Sequence, residues 1–316
     1  MGREAIPRVR VLREPIWGGE EVLADRCTHG HIWLYEKRSE GSMNLFPWKE
    51  KRLQTVWRVG KNGRDSFLVG TAHFSPISFR KALTRLVQES ETVIFEGPLD
   101  RESMATVARY GARGEGTPSV YDALEPAVIR EINRQLADRS VQATMAGSFL
   151  DLMNVKTSGF LEQHVRGVRP WMAFFTTWSA FLNWKHSMDV EAFHIARELG
   201  KQIAFLETIE DQLEALDGIP FERIVNYFNR FKYWSAHRER FSKIFLEGHL
   251  QKYLSVTGEF PTRCESIIGK RDPIFFRGIK SAFEKGRTSA FVGVGHIPGI
   301  KKMFLAEGYR MIQEEP

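Results

Sequence analysis

Hydrophobic residues recur along the chain as short apolar runs, each stopped by a turn or a single polar residue. Residues 55–59 and 66–69 flank Asn62-Gly63, and an Asn-Gly pair between two such runs predicts a β-hairpin. Phe79, Leu83, Leu86 and Val87 then recur at helical spacing, and Thr92-Val93-Ile94-Phe95 reads as a strand ending at Glu96. This strand–helix–strand unit predicts that its two strands run parallel. From about 101 to 185 the periodicity is helical, with one face at Val128, Ile129, Ile132 and Leu136 and a core stripe at Phe174, Phe175, Trp178 and Phe181.

Strand–helix alternation then resumes. A helix through 190–199 stops at Gly200, and the strand 202–206 ends at Glu207. Residues 221–254 read as one long helical stretch, aromatic and basic, with a packed face and a solvated cationic face. A helix over 273–285 feeds the strand 290–292, and a closing helix from Ile300 to Gly308 precedes an edge strand at 309–312. The expected fold class is α/β: a central mixed, largely parallel sheet flanked by helices, with a helical insertion. Residues 1–53, broken by Gly18-Gly19, Gly41-Ser42 and Pro47, form an N-terminal extension; 54–316 form the α/β domain, with a helical cap region at about 101–185.

With 42% hydrophobic residues over 316 positions, the chain can bury a large core and is no disordered segment. Its net charge of +6 would permit contact with nucleic acid, but the bases are interleaved with acids, so none is expected. Residues 171–184, the most apolar stretch, are too short and too rich in Thr, Ser and Asn to span a bilayer. The first residues carry no apolar signal core, and Cys27 and Cys264 form no paired motif. A cytoplasmic protein in a reducing compartment is the expectation.

Two Gly-x-x-His turns concentrate the chemistry. Gly70-Thr71-Ala72-His73 and Gly293-Val294-Gly295-His296 each follow an apolar strand, which places an imidazole at the carboxyl edge where open α/β sheets bind ligands. Glu96 and Glu207 end two further strands. If all four strands share one sheet, two imidazoles and one or two carboxylates suffice to hold a divalent metal with positions left for water and substrate. Such an ion lowers the pKa of bound water and polarises a carbonyl; without it, the same set gives a histidine general base oriented by a carboxylate. Plainer roles compete: a loop salt bridge for Glu96, and capping of the helix that starts near Ile209 for Glu207. His29-Gly30-His31 reads as surface, and His164, His186, His194, His237 and His249 lack any partner pattern.

The run Trp57-Arg58-Val59…Phe67-Leu68-Val69-Gly70-Thr71-Ala72-His73 resembles the opening of the TraB/PrgY/GumN family, which includes the Tiki proteases. The resemblance continues through Glu96, Tyr121-Asp122-Ala123-Leu124, Arg169-Pro170-Trp171, Asp189, Gly200-Lys201, Leu206-Glu207-Thr208…Gln212, Arg271-Asp272 and Gly293-Val294-Gly295-His296. It implies an α/β fold related to erythromycin esterase and ChaN-like proteins. In the Tiki branch it implies metal-dependent peptide hydrolysis, with His73, Glu96 and His296 around Mn²⁺, Co²⁺ or Zn²⁺ and a peptide or small ester as substrate. Arg271 falls in the family's Arg-Asn/Asp pair, where a cation can stabilise an oxyanion. The related pheromone-shutdown and haem-binding proteins leave open a non-catalytic peptide- or haem-binding module, and the esterases a metal-free histidine base. One departure stands out: Glu96-Gly97-Pro98-Leu99-Asp100 replaces the family's common Glu-Leu-Asp.

Overall fold

The computed structural model describes residues 10–11, 52–140, 159–250, 252, 255 and 258–314. Most of the expected extension, with its Gly and Pro breakers, Cys27, His29 and His31, lies outside the described residues. The hairpin forms as its turn residues dictate, with Asn62 and Gly63 both at positive φ (55° and 77°). The sheet contains β1 (Arg10–Val11), β2 (Val56–Lys61), β3 (Arg64–Thr71), β4 (Thr92–Phe95), β5 (Gln202–Phe205), β6 (Thr288–Gly293) and β7 (Arg310–Gln313). Across it they stand in the order β1-β5-β4-β6-β3-β2-β7.

The inner four strands β5, β4, β6 and β3 are mutually parallel, whereas β2 and β1 run antiparallel to their neighbours. The expected parallel relation of β3 and β4 holds, but the two do not touch. The late strand β6 inserts between them. Inner strands with helices on both faces must be apolar throughout, and Phe67, Leu68, Val69, Val93, Ile94, Phe95, Ala290, Phe291 and Val292 are all buried.

The helices are α1 (Arg80–Gln88), α2 (Arg101–Gly111), α3 (Val120–Ala123), α4 (Pro126–Ser140), α5 (Phe160–His164), α6 (Pro170–Leu182), α7 (Met188–Glu198), α8 (Ile209–Asp217), α9 (Phe221–Asn229), α10 (Trp234–Leu246), α11 (Asp272–Phe283) and α12 (Ile297–Ala306). Residues of α1 and α7 share one apolar core with the sheet, and those of α11 and α12 share another. A third core joins α3 to α6 with α8 and α9, so the apolar packing of the helical region extends past residue 185. No helix among the described residues is long and apolar enough to cross a membrane.

The expected single helix over 221–254 is broken. A 3₁₀ turn at Phe231–Tyr233 separates α9 from α10, and Trp234 Nε1 donates to the Tyr227 carbonyl at 2.9 Å, replacing a lost helical bond. Gly248, at positive φ (68°), then ends α10, and helix is found again at residues 250, 252 and 255. Periodicity alone cannot detect such a break, because the apolar stripe continues through it.

Candidate functional site

The sheet register places the site. Thr71 pairs with Gly293, and the Val294 N–H donates to the Thr71 carbonyl at 2.9 Å, so the two Gly-x-x-His turns leave the sheet side by side. Gly70 makes this possible: a Cβ there would lie 3.0 Å from Ile297 Cγ1 and 3.3 Å from Val294 Cγ2. On the other side of β6, Phe95 pairs with both Phe291 and Phe205, and the Glu207 N–H donates to the Glu96 carbonyl at 2.9 Å. His73, Glu96, Glu207 and His296 therefore meet at one edge of the sheet.

Both imidazoles are anchored through Nδ1. His73 Nδ1 lies 2.8 Å from Asp189 Oδ2, and Thr71 Oγ1 donates to Asp189 Oδ1 at 2.5 Å. His296 Nδ1 lies 2.6 Å from Asp272 Oδ1. Each ring thus has Nε2 left for chemistry. His296 Nε2 is 3.8 Å from Glu96 Oε1, and His73 Nε2 and Glu96 Oε1 both fall within 4 Å of where a Cβ on Gly293 would sit. The two rings differ in access: 59% of the His73 side chain is open to solvent, against 4% for His296.

Arg271, the residue before α11, joins the carboxylates. Its Nε donates to Glu207 Oε2 at 2.9 Å, and its Nη2 bridges Glu207 Oε1 at 2.5 Å and Glu96 Oε2 at 2.7 Å. Nη1 makes only long contacts, both 3.4 Å, to the Ile267 carbonyl and to His296 Nε2. A guanidinium can only donate, so the second contact is a hydrogen bond only when His296 Nε2 offers its lone pair. The Phe275 ring covers the guanidinium at 4.7 Å. Glu207 is therefore no helix cap. Thr208 caps α8 in a capping box with Asp211.

These contacts separate the titratable groups. Burial alone would raise Glu96, but Arg271, His296, His73 and the Gly293 N–H together lower it to about 2. Burial raises Glu207, with Glu96 adding to the shift and Arg271 opposing it. Desolvation by the surrounding protein works against a charged His73 on its inner side, yet Asp189 and Glu96 outweigh it and raise the imidazole to about 9. Arg271 is lowered by burial, but Glu96 and Glu207 more than reverse this and hold it charged.

Among the described residues, no group of three or more His, Cys, Asp or Glu side chains is arranged to hold a metal ion. The guanidinium of Arg271 already bridges the two glutamates.

The profile of the TraB/PrgY/gumN family matches residues 55–313. The chain belongs to that family. Among curated proteins none matches it.

The position of each motif in this TraB-family chain separates scaffold from site. Arg169-Pro170-Trp171 is a clamp: Arg169 Nη1 and Trp171 Nε1 donate to Asp217 at 2.8 and 2.9 Å, tying α6 to the end of α8. Lys201 Nζ donates to the carbonyls of Gln88 and Ser90, closing α1 against β4 and β5. Tyr121 donates to Glu162. The glycine in the remodelled Glu96-Gly97-Pro98 loop has a local cause: a Cβ on Gly97 would lie 2.5 Å from Gln212 Nε2, and Gln212 donates to Glu207.

Asp189 and Asp272 were given no role by the sequence. Both stand in the first turn of a helix, where an acid is expected simply to offset the helix dipole. His164 packs on Phe160, and His237 on Trp178 and Tyr227.

Proposed function

We propose that this chain hydrolyses a peptide or ester bond at the cluster of His73, Glu96, Arg271 and His296. One observation supports this most: two imidazoles from distant turns each commit Nδ1 to a buried aspartate and direct Nε2 to the same carboxylate. Structural histidines have no need of such convergence. The solvent-open His73 is the proton-moving group. Raised to about 9, it carries a proton at neutral pH that it can give to a leaving amine or alkoxide. Arg271 Nη1, with only its long contacts to give up, is the donor available to a developing oxyanion. Asp189 and Asp272 fix the ring orientations, and Glu207 holds Arg271.

The chemistry of the donor set fits a divalent ion. Imidazoles pinned at Nδ1 by carboxylates are the usual metal-ligand arrangement. Glu96 and Glu207 share the Arg271 guanidinium, whereas Asp189 and Asp272 each hold one imidazole. His73, once it has given up its proton, would hold the ion with Glu96 and His296; when bound, the ion supplies carbonyl polarisation and a more acidic water. Metal content of freshly purified protein and of His296→Ala, with turnover of a peptide and ester panel before and after Mn²⁺, Co²⁺ or Zn²⁺, tests this. The expected result is metal-stimulated cleavage, with both binding and cleavage lost in the variant. No cleavage under any loading would end the hydrolase reading.

Arg271 favours a second reading. Its guanidinium already bridges Glu96 and Glu207, so hydrolysis with no ion is the alternative. His73 then acts as the base in the fraction that has lost its proton, a fraction that grows as pH rises toward about 9. Activity that survives exhaustive chelation selects it.

A further inference from the structure

Outside this site, a groove of about 600 Å³ lies between α12, the start of β2 and the residues that follow α10. Its lining combines Trp57, Pro298 and Leu305 with Lys301, Lys302 and His249, and none of the described residues lining it is acidic. Neither Lys301 nor Lys302 forms an ion pair among the described residues. Lys301 Nζ instead stands 5.9 Å from the centre of the Trp57 ring. Trp57 is 2% exposed, and its buried indole N–H has no acceptor among the described residues. A buried donor left unpaired is costly, and native structures rarely tolerate one unless a ligand or water supplies the missing acceptor. Leu305 is half exposed on the same wall, so the groove has an apolar side as well as a cationic one.

We infer that this groove binds a small organic anion: a phosphate or carboxylate head between Lys301 and Lys302, accepting from the Trp57 indole, with an apolar body against Pro298 and Leu305. The groove shares α12 with His296, which immediately precedes that helix. Its chemistry is independent of the hydrolytic site, because no residue is common to both.

Phenyl phosphate, benzoate and inorganic phosphate, each titrated into ¹⁵N-labelled full-length protein, provide the test. The indole cross-peak is assigned by its loss in Trp57→Phe. The expected result is a saturable shift of that peak with phenyl phosphate or benzoate, weakened about ten-fold or more in Lys301→Ala/Lys302→Ala. Tighter binding of phenyl phosphate than of benzoate assigns the head as phosphate, and the reverse order as carboxylate. Inorganic phosphate is expected to bind more weakly than phenyl phosphate, since it lacks the apolar body. The surface double variant is expected to leave the wild-type spectrum otherwise intact. A peak that moves with no anion, as when a water satisfies the indole, or an equal shift in the double variant, would overturn the inference.

Discussion

Thr71 is the backbone partner of Gly293 across β3 and β6. That single pairing joins the two Gly-x-x-His turns. A register slip of one residue would turn one of the two histidines to the opposite face of the sheet. The site therefore depends on a late strand entering between two early ones, and substitutions within it should report on that assembly.

Asp189→Asn removes the carboxylate that raises His73. The folded value of about 9 lies above the ordinary 6.5, so the pair contributes stability fully below about pH 6.5. That contribution fades as pH rises through about 9. Thermal unfolding at pH 6 and pH 10 is expected to show the variant well below wild type at pH 6, with the gap narrowing at pH 10. A gap independent of pH would mean that Asp189 acts by packing alone.

Glu96 shifts in the opposite sense, from an ordinary 4.5 down to about 2. Its contribution is present above about pH 4.5 and is lost as pH falls toward 2, on the order of 3 kcal/mol before Glu207 offsets part of it. Arg271→Met leaves both buried glutamates without their cation and is expected to destabilise by about 3–5 kcal/mol at pH 7, less at pH 4. Urea midpoints at the two pH values measure the difference. Arg271→Lys is expected to rescue little, because an ammonium cannot reproduce the two-pronged contact with Glu207.

Gly293→Ala places a methyl 3.1 Å from Glu96 Oε1, 3.7 Å from His296 Cδ2 and 3.8 Å from His73 Nε2. The new group enters the space between the three side chains without a backbone penalty, as Gly293 is not at positive φ. We expect a folded protein with cleavage reduced at least ten-fold and a thermal midpoint somewhat lowered, because Glu96 is held by Arg271 and must shift slightly to admit the methyl. Turnover equal to wild type would place the reacting atoms elsewhere.

Trp171→Phe separates a family motif from the chemistry. It removes the bond to Asp217 and puts a smaller ring in place of the buried indole, at a cost of about 2 kcal/mol. Stability is expected to fall by that amount while turnover per folded molecule stays unchanged.

Local sequence was enough to specify the hairpin, the apolar inner strands and the polar residue at the end of each. Turn chemistry and periodicity act within about ten residues, and they set the positions of His73, Glu96, Glu207 and His296 along their own strands. Only the tertiary structure decided the rest. It inserted β6 between β3 and β4, decided between the two roles open to Glu207 by setting it on Arg271, and brought Asp189 and Asp272 from helix starts to the two rings. Those choices depend on contacts between residues far apart in the chain, whose free energy arises from burial and charge pairing across elements and leaves no periodic trace in the sequence.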